Sequence, residues 1–178
     1  SPFGIIMKIN RDQLPTPQED PVLWKNIIDR DRAYWDKLCA ELTARPEFQR
    51  DSDAQKTFSK LRSAIGGVYS YRRLLPEAEY AFRQALALCP ESPEANFRLA
   101  QLLTEQNRLD DAITVLTALQ ARDPLNAKIG QAVQQLQTIK QGRSEIGPLE
   151  QAVAANPRDL RVLSQLIQAC LRAGKIGR

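Results

Sequence analysis

The sequence predicts an all-α solenoid of helical hairpins, preceded by an irregular arm and one extra helix. Three observations carry the prediction. An apolar pattern in the middle of the chain recurs with a shift of 34 residues, a period typical of stacked supersecondary units. Within each copy the apolar residues fall three or four apart, as on one face of an α-helix, and the series breaks once near the middle, giving two helices per copy. Proline, serine and asparagine stand where such helices should start and stop.

Taken in chain order, residues 1–20 read as an irregular arm, with prolines and turn-forming polar residues around a short extended segment from Ile5 to Ile9. Residues 21–51 supply one helix and a linker. Trp24, Ile27, Ile28, Tyr34, Trp35, Leu38 and Leu42 form its apolar face, Asp20 is placed to cap it and Pro46 to end it. Trp24 and Trp35 share that face, so they are expected to pack against the adjoining repeat rather than to hold a ligand. A further helix is expected to start near Asp53 and to run through Phe58 and Leu61.

Residues 52–178 hold about three and a half repeats. Ile65, Gly66, Tyr69, Ala78, Phe82, Ala85 and Pro90 of the first copy align with Leu99, Ala100, Leu103, Ala112, Leu116, Leu119 and Pro124 of the second. In the second copy Ser92 and Pro93 open a helix, Asn107 suits a left-handed stop, and Asp110 is expected to cap the next helix. Gly66 or Ala100, with Ala78 or Ala112, let two helix axes approach closely. The third copy runs through Ile129, Ala132, Val133 and Leu136, then Leu149 and Ala152, and ends at Pro157 one residue short. Gly147-Pro148 interrupts it, so its second helix is expected to start late, near Pro148. A fourth copy, with Leu160, Leu163, Leu166, Ile167 and Cys170, reaches Gly174 and is cut in half. An array usually finishes on a polar capping helix, so the expectation is a longer parent protein or another chain over the last helix.

This pattern resembles the tetratricopeptide repeat family, on Ile65, Gly66, Tyr69, Ala78, Phe82, Ala85 and Pro90. Arg62 departs from it, standing where the family often has a large aromatic. The resemblance implies a protein-interaction scaffold that binds another protein or peptide on its concave side, which is lined by outward positions of the first helix of each repeat. Those positions are Lys60, Ser63, Gly67, Ser70 and Tyr71, then Glu94, Phe97, Arg98, Gln101 and Glu105, with Lys128 and Gln131 following. Family members that bind acidic chaperone tails carry Lys and Asn where Ser63 and Gly67 stand here, so that partner is not expected. The arm is long enough to fold back into the same groove.

A second resemblance covers the whole chain. The runs Arg30 to Lys37, Phe58 to Gly67 and Ala81 to Leu99 are similar to the soluble C-terminal tail of a bacterial family of large polytopic membrane proteins. That family resembles the protein O-mannosyltransferase-like, C-type glycosyltransferases. The resemblance implies a docking or regulatory role, with membrane spans upstream and any sugar-transfer chemistry outside these residues. A third use is self-association through the unfinished last repeat.

Composition narrows the remaining classes. With 43% hydrophobic and 26% charged residues the chain is of ordinary globular make-up. The net charge of +4 is spread along the sequence, without the basic stripe that phosphate neutralisation requires, so no nucleic-acid partner is expected. No apolar run approaches the roughly twenty residues of a bilayer span. The start lacks both a signal-peptide pattern and an initiator Met, which suggests an excised fragment. Histidine is absent, which removes the commonest general base and metal ligand. Asp29, Asp31 and Asp36 alternate with Arg30, Arg32 and Lys37 and read as a solvated, salt-bridged face. Cys39, Cys89 and Cys170 are scattered and read as buried thiols. Gly66-Gly67 lacks a phosphate-cradle context. No catalytic residue, metal or cofactor is expected.

Overall fold

A computed structural model describes residues 2–4, 6–7 and 14–174; Ile5, Ile9 and the last four residues lie outside them. The described chain is helical apart from a small antiparallel pair in the arm, β1 (Pro2–Phe3) and β2 (Ile6–Met7). It divides into two compact units, Ser1–Asn107 and Arg108–Arg178. The helices of the second copy of the repeat therefore fall in different units.

In the first unit, α1 (Pro21–Thr43) starts as its sequence requires, because the Asp20 side chain accepts a hydrogen bond from the Leu23 amide and Pro21 occupies the first turn. Its buried residues Trp24, Ile27, Asp31, Trp35 and Cys39 are spaced three and four apart. Pro46 does more than end this helix: it opens the short α2 (Pro46–Arg50), which places Phe48 in the core. The next helix, α3 (Ser52–Tyr71), begins two residues after α2 because the Asp51 carboxylate caps the amides of Asp53 and Ala54. A turn with Arg73 at φ 61 leads into α4 (Leu75–Leu88). Ser92 then caps α5 (Pro93–Glu105), and Asn107 follows it at φ 63 in the expected left-handed conformation.

The α3–α4 hairpin is tight because Gly66 has no side chain. A Cβ there would lie 2.7 Å from the Phe82 ring, so the glycine is a packing residue as expected. The described part of the arm packs on α1: Trp24 and Trp35 donate their indole N–H groups to the carbonyls of Pro15 and Gly4, and Gly4 sits against the Tyr34 ring. Both tryptophans are buried core.

The second unit contains α6 (Leu109–Arg122), α7 (Ala127–Ala155) and α8 (Leu160–Arg172). Two expectations fail here. Asp110 does not cap α6; the helix starts at Leu109 after Arg108, without a side-chain cap. Asp110 lies in the first turn, where the helix dipole favours its charge, and forms an ion pair with Lys140. Nor does a new helix start near Pro148, because α7 is a single 29-residue helix that contains it. Proline there removes one ladder donor, but Ser144, whose carbonyl loses that donor, is exposed.

The final hairpin is held by α7 against α8. Ile146, Ala169 and Ala173 form its core, with Leu149, Leu166 and Cys170 packed on them. Gly142 allows the close approach, since a Cβ on it would stand 2.7 Å from the Ala173 amide nitrogen. Gly174 takes φ 69 after α8, where a turn was expected. No helix is long and apolar enough to cross a membrane among the described residues.

Candidate functional site

The candidate face lies in the first unit, where α3 and α5 pack side by side. Gly67, Ser70 and Tyr71 at the end of α3 meet Arg98, Gln101 and Glu105 of α5 around a cavity of about 220 Å³, with Phe82 and Leu102 also lining it. Helical spacing explains the convergence, because residues three and four apart stack on one face. Phe82 and Leu102 are each only 2% exposed and give the cavity an apolar base. Its rim is polar and partly neutralised. Arg98 Nε donates to Glu94 at 3.0 Å and Gln101 Nε2 donates to Glu105 at 3.1 Å. Tyr71 is 83% exposed.

Six of the twelve residues expected at the groove, Gly67, Ser70, Tyr71, Arg98, Gln101 and Glu105, thus share one cavity. Lys60 and Glu94 are exposed and Phe97 is half-buried on the same helices, outside the lining. Lys128 is exposed near the start of α7, in the second unit. Ser63 is a correction. It is fully buried and cannot meet a partner, because α3 packs against α2, α4 and α5 and also reaches α1 through Arg62.

A second assembly escaped the reading of the sequence. Arg62 Nη1 donates to Asp31 Oδ2 at 2.7 Å and Tyr69 donates its hydroxyl to the same oxygen at 2.8 Å. Arg62 Nε donates to Gln84 Oε1, whose amide nitrogen donates in turn to Asp36. Tyr80 donates to Asp36 as well. The guanidinium also lies 5.1 Å from the centre of the Trp35 ring, in cation–π range. The solvated reading of the acidic face therefore holds for Asp29, which pairs with Lys25 in solvent, and fails for Asp31, which is 2% exposed. A signal was present: Asp31 is in phase with Ile27 and Trp35, and Arg62 occupies a core position of the repeat.

The network has a pH signature. Burial, then the adjacent Asp31 carboxylate, pushes the Tyr69 phenol up from its ordinary value. The hydrogen bond to Asp36, then burial, raises Tyr80. A raised folded-state pKa means that the folded protein keeps protons the unfolded chain has released, so this stabilisation is complete below the unfolded value and is lost as pH rises past it. The urea midpoint is expected to fall above about pH 10, the ordinary tyrosine value, and Tyr69→Phe should flatten that fall. An unchanged alkaline slope in Tyr69→Phe would count against the assignment. Cys39 and Cys89 are buried, Cys170 is partly so, and burial also pushes the Cys39 thiol up, which disfavours the reactive thiolate.

None of the curated proteins compared with the chain matches it. Tetratricopeptide repeats generally mediate protein–protein interaction and are typically non-catalytic helical scaffolds. Residues 75–136, from the start of α4 into α7, match the family model described as Tetratricopeptide repeat, and this all-α chain therefore carries a tetratricopeptide repeat segment.

Proposed function

We propose that the chain holds another polypeptide on the α3–α5 face, with Tyr71, Arg98, Gln101 and Glu105 as its main contacts. The observation that carries this reading is the exposed Tyr71 ring at the mouth of a cavity with an apolar base and a polar rim. At about 220 Å³ the cavity is smaller than the roughly 300 Å³ at which pockets begin to take small-molecule ligands. It suits one side chain of an extended segment. Contacts of this type bind through a few anchors, with polar groups setting orientation.

A peptide selected from a random display library for binding to the folded chain provides the test. Tyr71→Ala and Gln101→Ala should each weaken it by about fivefold or more, the scale of losing one interface anchor, while far-UV circular dichroism stays unchanged. Equal binding by both folded variants would remove the assignment to this face.

The similarity of the runs Arg30–Lys37, Phe58–Gly67 and Ala81–Leu99 to a membrane-protein tail motivates one extension. The same face would dock an acceptor or accessory subunit of a larger glycosyltransferase-like protein. A parent gene without apolar spans upstream would sink that extension and leave the binding face intact.

A further inference from the structure

From the charge around this cavity we infer that its occupant is a basic side chain, lysine or arginine, presented by an extended peptide; this rests on the polypeptide-binding reading above. Arg98 donates its Nε–H to Glu94, in an i,i+4 ion pair that offsets part of its charge. Glu105 is different. Its carboxylate accepts one hydrogen bond, from the neutral amide of Gln101, and it has no ion pair among the described residues. A carboxylate can accept several hydrogen bonds, so acceptor sites remain at the rim. The electron-rich face of Tyr71, 83% exposed, lines the same cavity, and an aromatic face attracts a cation. Arg72, whose guanidinium carbon lies 6.0 Å from the Tyr71 ring centre, sits at the outer limit of such contact and leaves room for a closer cation.

The lining also separates stem from head. Phe82 and Leu102 would contact the methylenes of a lysine or arginine, while Glu105 and the tyrosine ring meet its charged end. Among the lining residues the cation is Arg98, which Glu94 already pairs, so an acidic side chain would gain less from it while facing the Glu105 carboxylate. A purely apolar side chain would strip water from Glu105 without replacing its hydrogen bonds.

Three N-acetylated, C-amidated pentapeptides test the inference, Leu-Ala-Lys-Ala-Leu and its counterparts with Glu or Leu at the centre. Each is titrated into the full chain while backbone amide shifts are followed by NMR. The lysine peptide should move the amides of Ser70, Tyr71, Gln101 and Glu105 at lower concentration than the other two. Glu105→Gln should weaken it by about three- to fivefold, and added salt should do the same to the wild type. Tyr71→Phe should retain binding that Tyr71→Ala loses, because the ring face survives only in the former. If the glutamate or leucine peptide binds this face as well as the lysine peptide, the basic specificity is overturned and the polypeptide-binding reading stands. If no peptide moves these amides, both are overturned.

Discussion

Asp31→Ala is expected to destabilise the first unit by about 3–5 kcal/mol, because it leaves the Arg62 guanidinium buried without its counter-charge. The pair is sealed, with Arg62 1% and Asp31 2% exposed, so water cannot take over the role of the carboxylate. The same change also removes the acceptor for the Tyr69 hydroxyl, and an unpaired buried donor adds its own desolvation cost. Urea unfolding followed by the fluorescence of Trp24 and Trp35, both in this unit, gives the measurement. The contrast with a paired replacement is diagnostic. Asp31→Leu combined with Arg62→Met removes both charges and should be far milder than Asp31→Ala alone, since buried ion pairs gain little over apolar residues of similar volume. A loss under about 1 kcal/mol for Asp31→Ala, the range of an exposed pair, would show that the site is open to solvent.

The second large effect is a reversal, at one glycine of α7, of the sign that helix propensity predicts. Glycine inside a helix costs roughly 1 kcal/mol relative to alanine, so propensity alone predicts that Gly142→Ala stabilises α7. Its surroundings decide otherwise. A Cβ at Gly142 would meet the Ala173 nitrogen at 2.7 Å and the Ala169 oxygen at 2.8 Å. These are backbone atoms and cannot swing aside, so α8 itself must move. Overpacking of this kind costs about 1–3 kcal/mol, which outweighs the propensity gain. The hairpin is sensitive because its core is small, resting on Ile146, Ala169 and Ala173. Gly142→Ala should therefore speed amide exchange and tryptic cleavage after Arg161 in α8. Greater protection of α8 in this variant would contradict the packing argument.

Much of this was legible in the sequence because it is written in local preferences. Asp20, Ser92 and Asn107 act within a few residues of themselves, and the spacing of Trp24, Ile27 and Trp35 records one buried helix face. The failures share a different cause. Whether Ser63 meets solvent depends on how many neighbours cover α3, and helix periodicity gives the direction of a side chain without saying what lies there. The charged neighbours of Asp31 in sequence point to solvent, although its phase along α1 places it in the core. Pro148 signals a break because proline opposes helix, yet a single missing donor at an exposed position is outweighed by the pairing of α7 with α8. At the candidate face, the positions at the end of α3 and along α5 were found by repeat phase. The charge balance around Glu105 needed the side-chain partners.

The Arg62–Asp31 pair also constrains how this chain can change over generations. An aromatic residue at position 62 would strand Asp31 in an apolar setting. Replacing Asp31 first strands Arg62 instead. Either order passes through a variant with one unmatched buried charge, so the two positions should be inherited as a unit, changing together or not at all. Helix α1, which lies outside the repeat pattern, is thereby locked to the first repeat by more than its position in the chain.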